Sequence, residues 1–254
     1  MKNLSRNNKL KDVPGKTTRV ADGDICRFFY TLDDFRANSR RRSTELAIAD
    51  AIELALFTGL RLNEVLGLTR SQVDLEIGVM HIEHTKNKES LHLPVGPYVK
   101  ELLQKRLDSV SKLCPFLYPA DTGDKPIREV RKTVQNLKKI SAMGGLPELD
   151  LNFHDLRRSS VSIAVAEHFS PYLIKRLVNP KVKKNTRDIT EVYVHFSTEY
   201  LERHISHMEQ AILRLAGRLH QTEAEGLDEQ ILSMVKQLNV HQKTLLLGLS
   251  PNCW

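Results

Sequence analysis

The chain has 254 residues, 41% hydrophobic and 27% charged, with 12 Gly and 10 Pro, which fits a folded globular domain and excludes a collagen-like or low-complexity chain. Its formal net charge of +7 favours a polyanionic partner without choosing between nucleic acid and an acidic membrane surface. No apolar run approaches bilayer length, the polar start Met1-Lys2-Asn3-Leu4-Ser5-Arg6 lacks a signal core, and Cys26, Cys114 and Cys253 are scattered with no C-x-x-C pair, so the expectation is a cytoplasmic protein with reduced thiols and no disulfide or zinc framework.

Residues 1–18 are polar and basic, broken by Pro14-Gly15, and read as a linker or tail. Asp22 to Phe35 reads as a short helix, and Arg40-Arg41-Arg42 leads into a second over Thr44 to Phe57, with Leu46, Ala49, Ile52, Ala55 and Leu56 spaced to face a core. Thr58-Gly59 stops it, and Arg61 opens a short helix over Leu62 to Leu68. Gln72 to Val95 then alternates, with Val79, Ile82, Leu91 and Leu93 apolar around turn residues Gly78 and Asn87, predicting a small antiparallel sheet of two or three strands. Helices follow over Tyr98 to Val110 and over Ile127 to Met143, the latter carrying Arg128, Arg131, Lys132, Lys138 and Lys139 and ended by Gly144-Gly145.

Further helices are predicted from His154 to about Glu167, Pro171 to Val178, about Asp188 to His195, and Thr198 to Leu215. After Gly226, Leu227, Ile231, Met234, Val235 and Leu238 trace one face of a last helix, which packs on its own domain or on a neighbouring protomer. The expected organisation is a tail over 1–18, a core domain over 19–216 and a C-terminal extension over 217–254. The fold class is mainly α with a small antiparallel β-sheet (α+β).

The chemistry concentrates in His154-Asp155-Leu156-Arg157 and the stretch running to Tyr193. A histidine and an arginine three apart on a helix share one face and can address the same anion. Tyr193 follows a segment bearing Lys181, Lys183, Lys184 and Arg187, which makes it a candidate nucleophile beside a phosphate cradle. Breaking a phosphodiester with a side chain needs an attacking oxygen, donors for the growing phosphate charge and an acid for the leaving alkoxide. Arginine suits the second role through its planar fork, and lysine the third through a mobile proton. Arg61 sits between apolar segments at a helix start, where partial burial calls for an anionic partner, and Glu64 is three residues on. Lys86 lies in the turn Thr85-Lys86-Asn87-Lys88, with Lys88 as its rival. Tyr200 rivals Tyr193, although Phe196-Ser197 breaks the helix before it. Each residue alone has an ordinary reading: an i,i+3 ion pair for Arg61 and Glu64, a cap or core histidine, a solvated arginine face, a packed tyrosine. His81 and His84, three apart in a strand, point to opposite faces, and His204 with His207 lacks further ligands, so no metal site is expected.

In order and spacing the chain resembles the catalytic domain of the tyrosine recombinases, the phage integrase family. The resemblance rests on T-G-L-R-x-x-E-x-L-x-L at Thr58 to Leu68, T-K-N at Thr85 to Asn87, H-D-L-R-R at His154 to Arg158 and T-x-x-Y-x-H at Thr190 to His195, and it covers roughly residues 19–215. It implies that Arg61 and Arg157 stabilise a pentacoordinate phosphate, that Lys86 protonates the departing 5′ hydroxyl, and that His154 serves as base or phosphate ligand. Tyr193 would form a 3′-phosphotyrosine that a second 5′ hydroxyl resolves, with no cofactor and no metal. The implied partner is double-stranded DNA, bound as a tetramer although an isolated domain is compatible with a monomer, in the bacterial or phage-host cytoplasm at the nucleoid. Arg40, Arg41, Arg42, Arg128, Arg131, Lys132, Lys183 and Lys184 are the expected contacts to its backbone.

Two features depart from the family pattern. The family's usual histidine or tryptophan before the tyrosine is replaced by Arg176-Leu177-Val178-Asn179-Pro180-Lys181, where Asn179 or Lys181 is the candidate substitute donor. The stretch before Arg19 is also too short for the family's separate DNA-clamping domain, and an excised catalytic domain is favoured over a truncated gene. Alternatives are a non-catalytic DNA-binding relative and a nick-and-reseal activity of type IB topoisomerase kind.

Overall fold

Helix α2, Ser43–Thr58, is the element around which the others pack. The computed structural model describes residues 18–37, 42–82, 91–178 and 196–218. Within them the chain runs α1 (Ile25–Ala37), α2, α3 (Leu62–Leu66), β1 (Val73–Asp74), β2 (Val79–Ile82), β3 (Leu91–Pro94), α4 (Pro97–Ser109), α5 (Arg131–Ser141), α6 (Phe153–Ala166), α7 (Pro171–Val178) and α8 (Thr198–Leu215). The architecture is mainly helical with one three-stranded antiparallel sheet in the order β1-β2-β3, as the sequence predicts. No helix among the described residues is long and apolar enough to cross a membrane.

The reason α2 is central lies in its composition. The expected single apolar face is wider than that: every side chain from Ala47 to Ala49 and from Ala51 to Thr58 is buried, while Leu46 is only half-buried. A helix apolar on nearly all sides needs neighbours on all sides, and α1, α3, α4, α5, α6 and α8 supply them. In α1, Ile25, Phe28, Phe29, Leu32 and Phe35 form one buried stripe, each side chain worth roughly 1.5–3 kcal/mol of burial. Glu53, the buried carboxylate of α2, is matched by Arg36 of α1 and by the Tyr98 hydroxyl of α4, and Arg36 also holds Asp50 at 2.8 Å.

Several boundaries differ from the sequence reading. The helix expected from Ile127 begins at Arg131. The Ile127 amide donates to the Tyr118 carbonyl at 2.8 Å and Pro126 bridges Pro119, so these residues are held extended. Arg128 therefore precedes the helix and is exposed. The helix after Arg61 ends at Leu66 rather than Leu68. In the sheet, Met80 and Ile82 turn inward opposite Leu93 and Leu91. Val79 has the other parity and is half-buried on the outer side.

Helix α8 closes the fold. Its Glu209 is buried and accepts the amides of Tyr98 and Val99, both at 3.1 Å, at the start of α4. Burial pushes the Glu209 carboxyl up from its ordinary value, outweighing the amide donors that favour its charged form. A Cβ at Gly96 would press on the Glu209 carboxylate and push it from the Tyr98 and Val99 amides. Residues 1–17, the helix expected over 188–195 and the C-terminal helix after Gly226 lie outside the described residues.

Candidate active site

The turn after α2 builds the first part of the site. Gly59 adopts φ +62° at the helix C-cap, a left-handed conformation that glycine takes without steric cost. It is also closely packed, since a Cβ would meet Val178 Cγ1 at 2.9 Å and Ser160 Oγ at 3.2 Å. Two residues later Arg61 is the N-cap of α3. The Glu64 carboxylate accepts both the Arg61 amide and Nη1, each at 2.8 Å. The anionic partner anticipated for Arg61 is thus present and buried.

Helix α6 brings the second part. Its first turn is locked by Asp155, whose carboxylate accepts the Thr18 hydroxyl at 2.7 Å, the Asn152 amide at 2.8 Å and Arg158 Nη1 at 2.8 Å. The Val20 amide donates to Ser159 Oγ at 2.9 Å, tying the incoming chain to the same helix. His154 is exposed in this turn, and Arg157, one turn on, is buried. Arg157 Nη1 donates to the Gly59 carbonyl at 2.8 Å and Nη2 to the Val178 carbonyl at the end of α7. Burial and the neighbouring Arg61 cation pull the Arg157 guanidinium down to about 10, with Glu64 opposing. It remains a cation at neutral pH, and among the described residues no carboxylate forms an ion pair with it.

Arg61, His154 and Arg157 line one cleft of about 550 Å³. Arg131, Val134, Gln135 and Lys138 of α5 form its opposite wall, with Leu62, Val130, Asn152 and Phe153 completing it. Spacings of three and four place these α5 residues on one helical face. Among the described residues the lining includes the cations Arg61, Arg131, Lys138 and Arg157 and no carboxylate, so the cleft attracts an anion. Of the expected backbone contacts, Arg131 lines the cleft, whereas Lys132, Arg128 and Arg42 are exposed and outside its lining. Gln135, Asn152 and the Gly59 and Val178 carbonyls were not singled out by sequence. The spacing of Arg131, Gln135 and Lys138 was a signal for that wall; the carbonyls had none.

Tyr200, the rival nucleophile, is half-buried. It stacks on Phe196 with ring centroids 5.2 Å apart and packs on His204 at 4.0 Å, away from the cleft lining. Ser197 caps α8 by accepting the Tyr200 amide at 3.2 Å, which accounts for the helix break expected at Phe196-Ser197. His204 Nδ1 contacts the Tyr200 carbonyl and His207 Nε2 contacts Glu167. Lys86, Lys88, Asn179, Lys181, Lys183, Lys184, Tyr193, Arg40 and Arg41 lie outside the described residues.

The chain belongs to the phage integrase family, whose model matches residues 31–200. It is 26% identical over 165 residues to the tyrosine recombinase XerD of Vibrio cholerae, covering 62% of this chain and 52% of that protein. It is 28% identical over 121 residues to a shufflon-specific DNA recombinase of Escherichia coli, covering 48% and 28%. The chain thus spans between 28% and 52% of the length of the curated relatives it matches. Among solved structures, the integrase of the Tn1549 transposon, determined in complex with transposon right end DNA, superposes with a TM-score of 0.57 at 17% identity, over 79% of this chain and 68% of that one. The fold is that of the tyrosine-recombinase catalytic domain.

Proposed function

We propose that this chain is the catalytic part of a site-specific DNA recombinase that cleaves and rejoins double-stranded DNA through a covalent 3′-phosphotyrosine. The observation that carries the reading is the convergence of Arg61, His154 and Arg157 on one cationic cleft, with Arg157 buried and, among the described residues, in no ion pair with a carboxylate. A phosphodiester bound there places its non-bridging oxygens against two guanidinium forks, which match phosphate geometry and hold their charge as the phosphorus becomes pentacoordinate. The Tyr193 hydroxyl attacks phosphorus and gives its proton to His154. The bond from phosphorus to the 5′ oxygen breaks, and Lys86 protonates that oxygen. Attack by a 5′ hydroxyl of another strand reverses each step, so the phosphodiester energy is conserved without a cofactor.

Arg131 and Lys138 in the cleft wall, with Arg42, Arg128 and Lys132 outside it, neutralise phosphates on either side, and Arg40, Arg41, Lys183 and Lys184 extend this contact. Asn179 follows directly on Val178, whose carbonyl Arg157 holds, and Lys181 comes two residues later, so these are the donors available in place of the family's usual histidine. Exchange between two duplexes requires four such centres, hence a tetramer on DNA, with a monomer compatible with the isolated chain, acting on DNA in the cytoplasm.

A DNA substrate nicked close to the cleavage point tests the reading by trapping the covalent adduct. Wild type is expected to form it and Tyr193→Phe to form none. Absence of adduct at saturating protein would overturn catalysis in favour of a DNA-binding relative, while plasmid relaxation without strand exchange would indicate topoisomerase-like action.

A further inference from the structure

Strands β2 and β3 place His81 directly opposite His92 on the outer face of the sheet, away from Met80, Ile82, Leu91 and Leu93. The rings meet edge to face with centroids 4.8 Å apart, and their Nδ1 atoms are 2.7 Å from each other. Two imidazole nitrogens at that distance hold one proton between two lone pairs. We infer that this pair is a binding site for a late first-row divalent cation, with zinc, nickel or copper as the chemical class, since neutral imidazole suits these ions. Two nitrogens bound to zinc at tetrahedral geometry stand roughly 3.3 Å apart, so the rings need to part by only about 0.6 Å, within the reach of small side-chain rotations at a half-buried and an exposed position. On binding, the Nδ1 proton transfers through solvent to the outer Nε2 of the same ring. Both imidazoles stay neutral and each gives one lone pair to the metal. No group of three His, Cys, Asp or Glu side chains gathers among the described residues, so water fills the remaining positions.

The pair lies where the two strands leave for residues 83–90, the segment that contains Lys86. A metal bridge would therefore cross-link the strands bracketing that lysine and hold them in register. The binding itself does not rest on the recombinase reading; only its bearing on Lys86 does. Isothermal titration of the full chain with zinc chloride at pH 7.5, in a buffer that does not chelate, is expected to give one saturable site per chain. That site is expected to vanish in His81→Gln/His92→Gln. A wild-type chain without the site, or an unchanged isotherm in the double variant, overturns the assignment. Thermal unfolding in chelator shows whether the double variant is folded. Should it not be, imidazole nitrogen resonances of the wild-type chain decide, because zinc must shift both Nδ1 signals of His81 and His92. Zinc is further expected to slow amide exchange in 79–82 and 91–93, and unchanged exchange in a zinc-bound chain refutes the cross-link. None of these readouts involves DNA, so their failure is separate from failure of the Tyr193 adduct test.

Discussion

Arg157→Lys keeps a cation at the centre of the cleft but removes the fork. The wild-type side chain satisfies two buried carbonyls, Gly59 and Val178, through separate nitrogens. A single ammonium reaching from the same Cα keeps at most one of them while still facing the cleft, and the carbonyl left behind costs about 1–3 kcal/mol. At roughly 2–4 °C per kcal/mol for a chain of this size, the melting temperature falls by roughly 2–12 °C. Adduct formation on the nicked substrate falls by about two to three orders of magnitude, the usual loss for one oxyanion donor. The variant also acquires a pH signature. Burial and Arg61, which pull Arg157 down to about 10, act equally on a lysine and lower it from its ordinary value toward neutrality. The folded state then binds fewer protons than the unfolded one above the folded lysine pKa, so stability rises with pH until the ordinary lysine value is reached. In the wild type the corresponding window starts near 10, leaving its stability insensitive to this group at neutral pH. Urea melts between pH 7 and 9.5 alongside the adduct assay check both effects. An Arg157→Lys chain as stable and as active as wild type, with no pH slope, would refute the role assigned to the fork.

Gly59→Ala strains a left-handed residue and drives its Cβ to 2.9 Å from Val178 Cγ1, so a loss of about 1–3 kcal/mol is expected in urea melts, with weakened adduct formation because the carbonyl on Arg157 moves. Glu209, whose carboxyl is pushed up in the folded state, retains a proton that the unfolded chain has already released, so wild-type stability falls as pH rises through the window just above the ordinary carboxylate value. Glu209→Gln is expected to flatten that slope in denaturation curves taken across mild acid, and a slope unchanged by the substitution sinks the assignment. Tyr200→Phe retains adduct formation, since its ring packs between Phe196 and His204; loss of the adduct in this variant but not in Tyr193→Phe would exchange the two tyrosines' roles.

The helices were legible because their apolar spacing and stop signals are local. Pro171 at the start of α7, Ser197 before α8 and Gly59 after α2 mark their ends in the sequence and in the fold alike. The start of α5 was not legible, because Ile127 and Val130 fit a helical spacing equally well. What decides against it is a tertiary hydrogen bond from the Ile127 amide to Tyr118. Which residues of β2 face inward is not legible for a similar reason. Val79 and Met80 are both apolar, and only the pairing with Leu93 shows that Met80 faces inward. At the site, the pairing of Arg61 with Glu64 and the shared face of His154 and Arg157 follow from helical spacing. The hold on Arg157 by backbone carbonyls could not be read, because carbonyls are present at every residue and carry no sequence signature.

That hold explains how the fold aims its charge. Arg157 joins three helix ends: the C-cap turn of α2 through Gly59, the last residue of α7 through Val178, and α6, which carries it. Its orientation depends on a left-handed turn that only glycine allows without strain, and on α7 packing against that turn closely enough to exclude a Cβ. Among the described residues Arg157 forms no carboxylate ion pair, an unfavourable arrangement for a buried cation, and burial with the nearby Arg61 pulls its guanidinium down. Under the proposed function, a bound phosphate would supply that counter-charge, and the gain would be larger for a dianionic, pentacoordinate phosphorane, in which charge is greater than in the ground-state diester.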